Sequence, residues 1–204
     1  MCIRDRFYEI SNRYDAILIV DEAHSSGVIG KNLLGWFDHH KLKPQHNHIK
    51  MGTLGKAYGS YGAYILASKE IISFLENRAK PIIYSTAASL FDIALGYENF
   101  LFIQNHTQDI RKKILQYQKI IEETLDYKTN SLIVALKTKG NKTALRIQNT
   151  LLESGYFVGA IRQPTVKTPI VRVVIKLDIQ KKTLRYFGKL LRQITLEDHH
   201  PLQL

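Results

Sequence analysis

The stretch His48-Ile-Lys-Met-Gly-Thr-Leu-Gly-Lys-Ala-Tyr-Gly-Ser-Tyr-Gly62 sets a single amine, Lys56, among the glycines 52, 55, 59 and 62. Glycines at these positions let a backbone pass close to a flat ligand and take up positive φ where a turn needs it. Upstream, the apolar run Ile17-Leu-Ile-Val-Asp21 ends in a carboxylate. A continuous apolar run over Ala16 to Val20 reads as a strand buried on both faces of a parallel sheet. Asp21 then stands at that strand's carboxyl end, where open α/β sheets collect their ligands.

A strand delivering an acid and a glycine-rich turn delivering a lysine fit the needs of pyridoxal 5'-phosphate (PLP). The lysine forms the Schiff base, and the acid keeps the pyridine nitrogen protonated so that the ring serves as an electron sink. His24 is placed for the ring hydroxyl, and Thr53 for a phosphate oxygen from the same turn as Lys56. A lysine that attacks an aldehyde must be partly neutral, which burial and nearby positive charge promote.

The segment Asp21-Glu-Ala-His24 admits a second reading, the acidic box of a helicase, in which the acids organise Mg²⁺ and water around ATP. Downstream, neither a Ser-Ala-Thr motif nor an arginine-rich motif follows. Gly52 to Lys56 is not a P-loop, since the spacing is Gly-x-x-Gly-Lys and Ala57 stands where Ser or Thr is required. His39, His40, His46 and His48 lie in a polar stretch without zinc-type spacing, so no metal is expected. Trp36 and Phe37 read as packing.

The 204 residues suffice for one large domain, or one domain and part of another. A 45% apolar and 23% charged composition is that of an ordinary globular protein. No apolar run approaches the ~18 residues of a membrane span, and no signal peptide is visible. The only cysteine, Cys2, has no internal partner, which fits a reducing cytoplasm. The charge of +11, from 29 basic and 18 acidic residues, is spread along the chain without aromatic interleaving. It reads as solvated surface that suits anionic substrates rather than nucleic acid.

Further strands are expected over Ile49 to Leu54 and Gly62 to Ala67, then a helix from Ser68 stopped by Pro81. Helices follow over Ser89 to Phe102 and Gln108 to Leu125. Beyond Asp126 the character changes: strand Leu132 to Leu136, helix Lys142 to Glu153 closed by Gly155, strands Phe157 to Ile161 and Ile170 to Leu177, helix Gln180 to Gln193. The reading is therefore an α/β protein with a partial large domain over residues 7–126 and a small C-terminal α/β domain over 127–195. Residues 1–6 show no periodicity and are set aside as a non-native junction.

The strings VDEAHSSGVIG (20–30), TLGKAYGSYGAY (53–64), IYSTAAS (83–89) and VGAIRQPTV (158–166) occur in the order found in the α-oxoamine synthases. The chain resembles the C-terminal portion of that family, PLP-dependent transferases of fold type I, like aspartate aminotransferase. The resemblance implies Lys56 as the Schiff-base lysine, Asp21 and His24 on the ring, and Thr53 on the phosphate. Ser85 and Thr86 match a segment that reaches the neighbouring subunit's phosphate region in the family's homodimers.

The resemblance also implies that Thr165 contacts substrate and that Arg172 binds the amino-acid carboxylate, for which a guanidinium fork is well shaped. The string 160–165 points to the branch that joins alanine to a pimeloyl thioester, carried on coenzyme A or a carrier protein. Glycine-using relatives are the nearest alternative, and a truncated, non-catalytic partner is a third. The family's ring-stacking histidine, glycine-rich cofactor loop and upstream serine have no counterpart here, so the chain alone is expected to be inactive.

Overall fold

The computed structural model describes residues 3–196; Cys2, with its expected lack of a disulfide, and residues 197–204 lie outside them. Two compact units divide between Arg111 and Lys112. The sequence reading put the boundary inside or just after the helix ending near Asp126; the division lies inside that helix, α6 (Thr107–Leu125), whose latter part buries Tyr117, Ile120, Ile121 and Leu125 in the second unit's core.

The first unit opens with helix α1 (Ile3–Arg13), so part of the segment set aside as a junction is helical. Strands β1 (Leu18–Asp21), β2 (His48–Thr53) and β3 (Ala63–Leu66) form one sheet in the order β1-β2-β3. β1 pairs with β2 in parallel and β3 with β2 antiparallel. β1 is not buried on both faces: Ile19 is 66% exposed, and Leu18 and Val20 are only half-buried. Among the described residues β1 is a sheet edge, and an apolar run does not reveal what covers it.

Helix α2 (Trp36–His40) lies between β1 and β2. Helix α3 (Lys69–Arg78) is capped by Ser68, whose hydroxyl accepts the Ile71 N–H (3.4 Å). It ends at Arg78, before Pro81, as the sequence pattern expected; what the pattern did not include is the short helix that follows. The chain leaves α3 at Ala79, and Pro81 sits in the first turn of helix α4 (Lys80–Ile83), where its missing N–H costs nothing. Ser89 caps helix α5 (Leu90–Asn105) through the Asp92 N–H (3.4 Å).

The second unit is an antiparallel sheet of β4 (Ile133–Lys137), β6 (Ile170–Val174) and β5 (Gly159–Ile161), in that order. Helices α7 (Asn141–Glu153) and α8 (Lys181–Leu196) complete it. Gly155, at φ +84°, follows the end of α7 as the sequence pattern requires. The core gathers Leu125, Val134, Ala144, Leu151, Val171 and Leu191, none measurably exposed. The alternation of buried and exposed residues along β4 and β6 is that of a sheet covered on one face.

Candidate active site

β1 and β2 run parallel with Asp21 opposite Met51, so Asp21 and Thr53 come out at the same end of the sheet. Asp21 is exposed, and its Oδ1 accepts the Ala23 N–H (2.9 Å), which fixes one carboxylate oxygen against the turn that follows. The carbonyl of Glu22 accepts N–H bonds from Ser25 (3.1 Å) and Ser26 (3.0 Å), closing a turn that carries His24 at the surface.

The lysine loop closes on itself. Leu54 N–H bonds Gly62 O (2.9 Å), Ser60 N–H bonds Leu54 O (2.9 Å), and Gly59 N–H bonds Lys56 O (3.1 Å). Lys56 stands exposed on this loop rather than buried as the sequence reading expected. Of the four glycines around it, only Gly59 and Gly62 take positive φ. The Thr53 hydroxyl donates to Gly62 O (3.0 Å) and accepts the Gly55 N–H (3.2 Å), so its proton is engaged inside the loop.

The two loops touch. Gly27, at φ +78°, lies so close to Ala57 that a Cβ there would overlap the Ala57 methyl. That approach brings the Asp21–His24 turn against the neighbour of Lys56 in one short-range assembly, and only glycine fits it. Beneath it, Tyr64 Oη donates to Ser26 Oγ (3.2 Å), and Tyr58 is buried beside Tyr64. Burial, reinforced by the neighbouring Tyr64, pushes the Tyr58 phenol far above its ordinary value, so it stays neutral.

Helix α5 supports the lysine loop from outside. Asn99 Nδ2 donates to Tyr58 O (2.8 Å), Ser60 Oγ donates to Asp92 O (2.6 Å), and Leu54 packs on Gly96. Ser85 and Thr86 follow α4, both exposed, with the Ser85 hydroxyl turned back onto Ile82 O (3.1 Å). In the second unit, Thr165 is exposed in the turn between β5 and β6. Arg172 is exposed on β6, between Ala135 of β4 and Gly159 of β5.

A sequence model of the family described as aminotransferase class I and II matches residues 5–188. The chain belongs to that family. Among aminotransferase-family proteins, the chain is 44% identical over 172 residues to an 8-amino-7-oxononanoate synthase of Helicobacter pylori strain J99, covering 84% of this chain and 46% of that one. A putative 8-amino-7-oxononanoate synthase of Aquifex aeolicus is 34% identical over 196 residues, covering 93% and 52%.

Among solved structures, an 8-amino-7-oxononanoate synthase of Francisella tularensis superposes with a TM-score of 0.78 at 25% identity, over 90% of this chain and 56% of that one. A serine palmitoyltransferase of Sphingomonas wittichii, at 17% identity, shares the fold with a TM-score of 0.81 over 94% and 50%. The chain spans about half the length of the curated relatives it matches. The fold is that of the PLP-dependent transferases of type I, and the family's cofactor is pyridoxal 5'-phosphate.

The donor set suits that cofactor: a carboxylate, an imidazole, a hydroxyl and an amine on two touching loops. The helicase alternative does not survive. The aminotransferase family model covers residues 5–188, and Glu22, the second acid of the Asp21–His24 box, is fully buried and faces Lys50. Sequence reasoning missed Glu22, Lys50, Ser60, Tyr58 and Asn99. Only Lys50 carried a signal, a cation between Ile49 and Met51 in a strand, which asks for a partner where it is buried.

Proposed function

We propose that this chain is part of a PLP-dependent acyltransferase that condenses L-alanine with a pimeloyl thioester, releasing CO₂ and the free thiol and giving 8-amino-7-oxononanoate for biotin synthesis. The observation that carries the reading is the approach of Gly27 to Ala57, which puts the Asp21–His24 turn beside the Lys56 loop. The names of the relatives support the substrate assignment.

When bound, the cofactor supplies an electron sink for the carbanion left by loss of a proton from the amino acid. Lys56 would hold the cofactor through Nζ, and its amine, when free, would take the α-proton of the amino acid. The Asp21 carboxylate would keep the ring nitrogen protonated, and the His24 ring would donate to the ring hydroxyl. Thr53 would serve the phosphate, and Ser85 and Thr86 would serve the phosphate of a second copy. Arg172 grips the amino-acid carboxylate through two parallel N–H donors, and Thr165 contacts substrate.

A homodimer and a cytoplasmic location belong to the same reading, supported by the apolar exposed face of α5 and the lone cysteine. Among the described residues no helix is long and apolar enough to cross a membrane.

The test is borohydride trapping of PLP followed by peptide mapping. Label is expected at Lys56 and absent in Lys56→Ala; label elsewhere, or none in an intact version, sinks the assignment. Acyl-transfer assays on a full-length version then separate alanine from glycine, with glycine preference shifting the reading to 2-amino-3-ketobutyrate ligase. The 204-residue chain alone is expected to show no turnover, and alanine-dependent product from it would refute that.

A further inference from the structure

We propose that Glu22, with Lys50, is a positioning residue for Asp21 and His24: its buried carboxylate ties the 21–26 turn to the 34–37 segment and so sets where the Asp21 carboxylate stands. The consequence for the cofactor rests on the reading above; the geometry does not. Glu22 is 0% exposed, although it directly follows the exposed Asp21. Its Oε2 accepts the Trp36 N–H (2.6 Å) and the Ser25 hydroxyl, and its Oε1 accepts the Phe37 N–H (3.5 Å).

The Lys50 ammonium lies 3.6 Å from Glu22 Oε1 and donates to Leu34 O (2.5 Å). Lys50 itself sits opposite Val20 in the parallel ladder, one residue before Asp21. At Gly35, φ +103°, any side chain would overlap the Glu22 carboxylate, so the segment is shaped around that group. The Glu22 amide bonds Met51 O (2.7 Å), and its carbonyl holds Ser25 and Ser26. Backbone and side chain of one residue therefore clamp both sides of the turn that presents Asp21 and His24.

A buried ion pair is a poor way to gain stability, because desolvation offsets most of the attraction and apolar residues of similar volume do as well. A fully satisfied buried network holds one geometry instead. A carboxylate that gathers the 21–26 turn, α2 and β2 around one point has that effect on its chain neighbour.

The test uses Glu22→Gln and Glu22→Gln/Lys50→Met, the latter leaving no charge buried alone should the single variant fold poorly. The Ala23 amide, held by Asp21 Oδ1, reports the Asp21 side chain through hydrogen exchange. Its exchange is expected to speed by about tenfold, the loss of one buried hydrogen bond's worth of order, while the β1–β2 ladder is unchanged. Borohydride trapping of PLP at Lys56 is expected to fall roughly tenfold in Glu22→Gln, yet no further in Asp21→Asn/Glu22→Gln than in Asp21→Asn alone.

Unchanged Ala23 exchange, equal acceleration throughout the ladder, or additive losses in trapping would each overturn the positioning role. If the wild type traps no PLP while Ala23 behaves as stated, the positioning of Asp21 stands and the cofactor reading falls.

Discussion

His48 opens β2 with its ring buried between Tyr8 and Phe37. Its Nδ1 accepts the Gln45 N–H (3.0 Å), so the proton of the neutral ring is on Nε2, 3.0 Å from Ser11 Oγ. Burial, and secondarily the charge of His46, lowers its pKa below the ordinary 6.5. The unfolded chain therefore binds the proton more readily than the folded one. Stability from this residue is complete above pH 6.5 and is lost as pH falls from there through the lowered folded value. Melting of the first unit should weaken by at most about 1.4 kcal/mol per pH unit over that window. His48→Gln should flatten the profile; an unchanged slope would remove His48 as its source. Arg172→Lys, in a full-length enzyme, keeps the charge but loses the bidentate fork. We expect the KM for the amino acid to rise roughly tenfold with less change in kcat.

Helix α5 holds the lysine loop through side chains that meet backbone: Asn99 on Tyr58 O and Ser60 on Asp92 O. Asn99→Ala leaves the Tyr58 carbonyl short of its donor and should expose the 54–60 loop to proteolysis several-fold faster, at a cost of about 1 kcal/mol. Equal nicking of wild type and variant would mean that α5 does not restrain the loop. In the second unit, Leu151 of α7 is fully buried in the core, and Leu151→Ala should cost about 3 kcal/mol by denaturant titration. At this scale local chemistry was readable: the serine cap of α3 and the glycine after α7 lie where the sequence pattern placed them, and α5 starts beside Ser89, where a helix was expected. Pro81 marked the end of α3 but hid the start of α4, because a proline is as welcome in a first helical turn as it is after a last one. The strand ending at Asp21 misled because hydrophobicity records what a residue tolerates, not which surface covers it.

The two compact units each bury their own residues, so calorimetry of the chain should resolve two transitions, with Leu151→Ala lowering only one. A single transition lowered as a whole would show that the units unfold together. The first unit also exposes Leu90, Phe91, Ile93, Tyr97 and Phe102 along α5. Sedimentation is expected to show association that rises with concentration and that Phe91→Glu/Tyr97→Lys weakens. The sequence by itself determined the chemical inventory: an amine among glycines, an acid ending an apolar run, a histidine close behind it. Those are properties of consecutive residues, set by backbone freedom and side-chain identity. Only tertiary structure decided that Glu22 turns inward to Lys50 while its neighbour Asp21 faces out, and that Gly27 meets Ala57. Both depend on which distant residues occupy the same space, and that is settled by packing and by the need to satisfy every buried polar group.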